Sequence, residues 1–326
     1  MNYTIYKLIN KFLKGISSQD IKHQFNIISS LGYKYKFKKE KILPCVIFSL
    51  DGTLFNNGLV DRLRGLVNSY AYAKANNIDF RIEHKVPFHL EEFIQPNKYN
   101  WTLKPSEKSY NLRYASPISM LDNPNEDGKR LLSLSKSRQY HFYTNTGRII
   151  SLMNKERGTS YSISELYNEL FIPTEKLQTQ IDIHKKVLGD NYISISFRFM
   201  QLLGDLIDIH GETLCEEKQT QLINLCKEQI IKLKQREPEV DKILVTSDSQ
   251  EFIDKVADIP YVYIIPGEIG HIGHMGGNIF LKTFLDLYMI SYAKKVYLCV
   301  GDGMYKSNYA RFAAQTQNKP FEIIEC

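Results

Sequence analysis

The sequence predicts an α/β protein of two Rossmann-like, doubly wound domains with a cleft between them, and three observations carry that prediction. Short apolar runs suited to buried strands alternate with helix-period segments from Lys41 onward. The first strand-to-helix passage is a polar loop holding Gly52 and Gly58. A hydrophobic content of 43% over 326 residues is enough to fill two cores and is not that of a disordered chain.

Taken in order, ILPCVIFSL reads as a buried strand, LVDRLRGLVNSYAYAKANN as a helix and IDFRIEH as the next strand, which together make one βαβ unit. Residues 86–140 are interrupted by Pro87, Pro96, Pro105, Pro117 and Pro124 and read as loops and small elements. YHFYTN then reads as a strand, and TEKLQTQIDIHKKVLG as a helix introduced by Pro173 and ended by Gly189. The second half repeats the alternation. YISISFRF, KILVTSD, YVYIIPG and KVYLCVGD are its strands. Between and after them CEEKQTQLINLCKEQIIKLKQR, FIDKVAD, NIFLKTFLDLYMISYA and YKSNYARFAAQ are its helices. Strands alternating with helices imply parallel sheets covered on both faces. The expected organisation is a basic helical extension over residues 1–40, a first α/β domain over 41–185 and a second over 186–326.

Five cysteines with no CxxC pair fit neither a disulfide framework nor a zinc site, and point to a reducing compartment. No run reaches the roughly 20 apolar residues that span a bilayer, and the head of the chain lacks a cleavable signal pattern. A cytoplasmic protein is the expectation. Nine Lys and two acidic residues fall within residues 1–41, a net +7 against +6 for the whole chain. MNYTIYKLINKFLKG places Ile5, Leu8, Ile9 and Phe12 at helical spacing and gathers Lys7, Lys11 and Lys14 on another side. Such a helix either lies peripherally on an anionic membrane surface, helped by KYKFKKEK, or packs on the protein by its apolar stripe. The rest of the chain has no positive excess, which argues against a nucleic-acid partner.

FSLDGTLF resembles the first motif of the haloacid-dehalogenase phosphatases, and VTSD and VGDGMYKSNYA resemble their later motifs in order. In that family an aspartate nucleophile precedes the acid/base aspartate by two residues. Here Asp51 stands at the acid/base position but Ser49 at the nucleophile's. A serine with no adjacent base supplies neither the nucleophile nor a magnesium cluster, so this reading ranks second.

GLVDRLRGLVNSYAYAKANNIDFRI resembles the first motif of the fucosyltransferase superfamily that includes the nodulation α-1,6-fucosyltransferases and the protein O-fucosyltransferases. Gly58, Asp61, Arg62 and Leu63 match it, while Val60 replaces its second glycine. YISISFRF is similar to the segment ending in the family's HxRxGD: Arg198 matches the arginine, Ser196 replaces the histidine, and Gly204-Asp205 come four residues late. TSDS (246–249), LDLYMISYAKKVYL with Asp286, and SNYARFAA resemble three further segments. The resemblance covers about residues 45–315. It implies a GT-B fold, a nucleotide-sugar donor held by the second domain, a carbohydrate acceptor held by the first, and no metal or other cofactor.

Chemistry gives these residues roles. A diphosphate leaving group gains charge as the glycosidic bond breaks, and a guanidinium with paired N–H donors stabilises it without a metal; Arg198 is that candidate. Thr246, Ser247, Asp248 and Ser249 end a strand, where open parallel sheets bind ligands. Ser307, Asn308 and Tyr309 open a helix whose N-terminus favours phosphate. Gly58 and Arg62 join the donor-binding candidates. Asp61 is the first candidate for the base that takes the acceptor proton and Asp205 the second. Bland alternatives stay open: Asp248 or Ser307 as helix caps, and Arg62 in an ordinary ion pair. His271 and His274 in GEIGHIGHMGGN are candidate substrate contacts; no third ligand accompanies them, so they do not read as a metal site. The function expected from the sequence is inverting, metal-independent transfer of L-fucose from GDP-fucose to a surface or lipid-linked glycan. A degenerate transferase that only binds is the further alternative, on account of Ser196 and Val60.

Overall fold

The computed structural model describes residues 32, 34–37, 42–54, 58–121, 128–205, 212–269 and 278–326. The chain divides into two compact units at Ile172/Pro173, each built on its own parallel sheet.

In the first unit, strand β1 (Cys45–Leu50) is buried along its whole length, as its unbroken apolar run requires. Helix α1 (Leu59–Asn76) follows it and leads to β2 (Asp79–His84), which pairs parallel with β1. Three more strands follow in this unit: β3 (Ile94–Pro96), β4 (Ala115–Met120) and β5 (Gln139–Thr144). The main sheet runs β2-β1-β5-β4, all parallel. Helix α1 packs on β1, β2 and β5 and against α2 (Ile149–Arg157) and α3 (Ile163–Leu170). It is therefore buried on nearly every side, with Leu63, Leu66, Val67, Tyr70 and Ala71 all inaccessible. A short strand, β6 (Phe171–Pro173), pairs with β3.

The second unit begins with α4 (Glu175–Leu188) and β7 (Tyr192–Phe197), followed by α5 (Glu216–Arg236), β8 (Lys242–Ser247), α6 (Gln250–Val256) and β9 (Val262–Tyr263). It closes with α7 (Asn278–Tyr292), β10 (Val296–Val300), α8 (Tyr309–Thr316) and β11 (Phe321–Glu325). The sheet order is β11-β10-β7-β8-β9, again all parallel. One face of β7 presents Ile193, Ile195 and Phe197 to a core shared with Leu222, Cys226 and Ile230 of α5 and Phe252 and Val256 of α6. The other face carries Tyr192, whose hydroxyl donates to the Met289 carbonyl of α7 at 2.6 Å. Helices on both faces make this the doubly wound arrangement the alternation predicts.

Four features depart from the sequence reading. The domain division lies thirteen residues before the expected 185/186, because α4 packs against α7 and belongs with the second sheet. The proline-rich stretch contains a full strand, β4; it is an edge strand bonded only to β5, a position that tolerates Pro117. Helices α2 and α3 and the edge strand β11 were not anticipated. Three of the five cysteines, Cys226, Cys299 and Cys326, meet in space although their sequence spacing gives no hint of it.

Gly65 explains how α1 comes so close to the sheet. A Cβ there would lie 1.9 Å from the Thr144 carbonyl oxygen of β5. Backbone cannot yield as a flexible side chain does, so Gly65→Ala is expected to lower the unfolding free energy by about 3 kcal/mol. A urea midpoint within error of the wild type would show that α1 does not need this approach.

Histidine 84, ending β2, is buried, with Nδ1 3.1 Å from the Phe88 carbonyl oxygen and Nε2 without a hydrogen-bond partner. Burial, with the Arg62 charge adding to it, pushes its pKa down to about 3. A depressed folded-state pKa contributes stability that is complete above the unfolded value and is lost as pH falls toward the folded one. Between pH 7 and 5 this single histidine should cost about 2 kcal/mol. His84→Phe, which keeps the stacking on Phe88, should lose correspondingly less stability over the same interval in urea titrations. Equal losses in the two proteins would assign the acid sensitivity elsewhere.

Candidate functional site

In the second unit the chain leaves β7 toward β8 on one side, and returns to pair β10 on the other, so the connections diverge between β7 and β10. Ligands in such sheets bind beyond the carboxyl ends of the strands at this divergence. Arg198 is the first residue past β7, and the loop after β10 reaches it: the Tyr305 amide donates to the Arg198 carbonyl at 3.0 Å.

Asp248, just past β8, organises this point. One carboxylate oxygen accepts the Phe199 amide at 2.8 Å and the other the Met200 amide at 2.7 Å. The second oxygen also faces an Arg198 Nη at 3.2 Å. Burial raises the Asp248 pKa, with the Arg198 charge and the two amides pulling the other way. Of the two roles open in the sequence, the helix cap falls to Ser249 and not to Asp248. The Asp248 oxygens instead hold the β7 loop and the guanidinium. About a fifth of the Arg198 side chain remains accessible.

The neighbouring hydroxyls are also engaged. Ser196 and Thr246 lie opposite each other in the β7–β8 register, and their hydroxyls share a 2.7 Å hydrogen bond. The Ser247 hydroxyl accepts the Ser249 amide at 3.1 Å. Ser249 caps α6, accepting from the Phe252 amide at 3.1 Å, and donates to Asp205 at 2.8 Å. Asp205 in addition accepts the Glu251 amide at 2.9 Å, so its carboxylate sits on the N-terminus of α6. A carboxylate there is a stabilising cap. The start of α8 follows the loop whose Tyr305 amide reaches Arg198. Ser307 accepts the Tyr309 amide at 3.1 Å, and the Asn308 side chain makes no cap hydrogen bond. The Tyr309 hydroxyl donates to the Thr283 carbonyl of α7. Asp286, one turn on along α7, is paired with Lys282 at 2.7 Å.

Gly58, Asp61 and Arg62 stand together in the first unit, at the start of α1. Arg62 is buried, its guanidinium donating to the Val86 carbonyl at 3.1 Å, and burial lowers its pKa to about 10. Asp61 is half-buried and accepts from Arg64 at 2.7 Å, while Arg64 also donates to the Asn145 carbonyl after β5 at 2.9 Å. Arg64 was not singled out in the sequence; its position at i+3 from Asp61 was the available signal. His271 and His274 lie outside the described residues.

The first unit also holds a polar cluster that sequence reasoning missed. Asp51 accepts from Lys34 at 2.8 Å, has Lys108 at 3.7 Å, and receives the Tyr143 hydroxyl at 3.4 Å. Burial pushes its carboxyl up, but hydrogen bonds from Lys34 and Thr53 and the Lys108 charge outweigh burial and hold it below the usual range. Lys108 pairs with Glu83 and donates to the Ser49 hydroxyl at 3.2 Å. Ser49 is buried in β1, and Asp51 is neutralised by two lysines. Neither residue is arranged for the phosphatase chemistry that FSLDGTLF suggests. Lys34, first of the KYKFKKEK cluster, is directed into this network; residues 1–31, 33 and 38–41 lie outside the described residues. Among the described residues, no helix is long and apolar enough to cross a membrane.

No protein-family model and no curated protein sequence matches the chain. Solved structures do. A point mutant of FUT1 from Arabidopsis thaliana, in complex with GDP, aligns with a TM-score of 0.58 at 13% identity over 99% of this chain and 79% of that one. NodZ α-1,6-fucosyltransferase soaked with GDP-fucose aligns at 0.53 and 13% identity over 85% of this chain and 93% of that one. Fucosyltransferase NodZ from Bradyrhizobium gives 0.51 and 14% identity over 84% and 93%. Two Rossmann-like units in this order, matched along nearly the full chain at low identity, establish the architecture: the protein has the GT-B-type fold of the fucosyltransferases.

Proposed function

We propose that the protein is a glycosyltransferase that moves L-fucose from GDP-fucose to a carbohydrate acceptor, with inversion and without a metal. The observation that carries this reading is Arg198, held by Asp248 at the point where the second sheet's connections diverge and tied to the loop that leads into α8. The fold likeness to fucosyltransferases with GDP or GDP-fucose bound supports it.

In this reading the second unit holds the nucleotide and the first the acceptor. Arg198 and the start of α8, with Ser307, Asn308 and Tyr309, receive the diphosphate. Thr246, Ser247 and Ser249 shape the strand end beside it. The bond from the sugar's anomeric carbon to the diphosphate breaks, its electron pair leaves with GDP, and the acceptor oxygen attacks from the opposite face. The growing negative charge meets a guanidinium that is already oriented, so little reorganisation is needed as the bond breaks. Asp61 takes the acceptor proton in this scheme, since Asp205 is bound up in the α6 terminus. Gly58 and Arg62, at the start of α1, are donor-binding groups of the first unit in this scheme; His271 and His274 are assigned to substrate contact. The acceptor is a surface polysaccharide or lipid-linked glycan precursor, used at the cytoplasmic face with the basic head at the membrane.

Calorimetric titration with GDP, UDP and GDP-fucose, each with and without Mg²⁺, tests the reading. GDP should bind without metal, and Arg198→Ala should weaken it at least tenfold while the circular dichroism spectrum stays unchanged. Absence of any nucleotide binding would sink the proposal. GDP-fucose binding with no turnover would instead make the protein a binding module, a reading that Ser196 at the family's histidine position favours.

Asp248→Asn removes the charge opposite Arg198 and one acceptor from the β7 loop. It should cost about 3 kcal/mol of stability, as breaking a buried pair does. GDP affinity should fall along with it. Stability lost with GDP affinity unchanged would show that the loop geometry is not what positions Arg198.

A further inference from the structure

Four sulfur atoms from four separate elements converge at one edge of the second sheet. Cys226 comes from α5, Cys299 from β10, Met304 from the loop after β10, and Cys326 follows β11. The Cys226 and Cys326 Sγ atoms are 3.7 Å apart, and the Met304 Sδ lies 3.9 Å from the first and 4.0 Å from the second. All three thiol sulfurs fall within 4.8 Å of one another. A metal ion about 2.3 Å from each of several sulfurs sets tetrahedral ligand separations of about 3.8 Å. The Cys226, Cys326 and Met304 spacings are close to that value, and the Cys226–Cys326 distance is well beyond the roughly 2.05 Å of a disulfide.

The donor set is uniformly soft, three thiols and a thioether, and this class of ligand selects Zn(II) or Cu(I) over hard cations. Cys226 and Cys299 are fully buried and Met304 nearly so, whereas Cys326 is half-buried and provides the side from which an ion can enter. The approach is also tightly shaped: a Cβ at Gly301 would lie 2.5 Å from the Cys326 sulfur.

We propose that Cys226, Cys299 and Cys326, with Met304 as a weaker fourth ligand, form a structural site for a soft d¹⁰ metal ion. Binding releases the thiol protons and joins α5, β10 and the end of β11 through the ion. Because Met304 lies in the loop whose Tyr305 amide bonds to Arg198, the ion also fixes that loop. The site stands independently of the donor reading, and the two fail by different measurements.

The test uses the full chain, purified under reducing conditions and stripped with chelator. Zn(II) and Cu(I) are titrated separately against chromophoric competitors, Co(II) serves as a spectroscopic probe, and melting temperature is followed throughout. One ion should bind per chain, with thiolate-to-cobalt charge-transfer absorption and a higher melting temperature. Cys326→Ser, at the half-buried position, should fold yet bind at least tenfold more weakly, while Cys215→Ser at an exposed position should bind as the wild type does. The Zn(II) and Cu(I) arms identify which ion is preferred. Failure of both ions to bind stoichiometrically, equal binding by Cys326→Ser, or a Cys226–Cys326 disulfide in the native protein would overturn the site.

Discussion

The arrangement of the second unit depends on one buried carboxylate. Asp248 takes the Phe199 and Met200 amides just after β7 and faces Arg198, so one side chain fixes both the backbone path and the charge at the strand end. A buried carboxylate is costly unless it is hydrogen-bonded and paired. Here both conditions are met by the segment that carries Arg198. The guanidinium is thereby held in place before any ligand arrives, which is the condition under which a fixed charge stabilises a developing one.

Both units rest on an all-parallel main sheet, but the sheets differ in strand order and in what their strand ends carry. Each sheet begins with its central strand, adds neighbours to one side, and then crosses to the other. In the second unit the strand ends carry one arginine and a set of hydroxyls. In the first, Asp51, Glu83, Lys34 and Lys108 neutralise one another beside Tyr110 and Tyr143. Paired charges of this kind fix loops and leave little net field. Asp61, held by Arg64 at the start of α1, stays half-exposed.

Much of the fold was legible because burial on both faces leaves a mark in sequence: the strands of ILPCVIFSL, YISISFRF, KILVTSD and KVYLCVGD all lie where their apolar runs place them. The elements that escaped notice are those where that mark is weak. β4 contains Pro117, β11 has no buried residue, and α2 and α3 are short helices. In the candidate site Arg198 was legible as a lone cation ending a strand, whereas the cap offered to Asp248 falls to its neighbour Ser249. The pairing of Asp248 with the loop amides was not legible, since those partners lie 48 and 49 residues away in the chain.

By itself, then, the sequence determined the alternation of strands and helices, two cores, and the residue types available at the strand ends, because periodicity and local propensity act over a few neighbouring residues. Only the tertiary structure decided which of those residues meet. It brought Asp205 onto the α6 terminus, set Asp248 against the Phe199 and Met200 amides, and gathered three dispersed cysteines within 4.8 Å of one another. These are long-range contacts set by sheet order and helix packing, and no spacing along the chain encodes them directly.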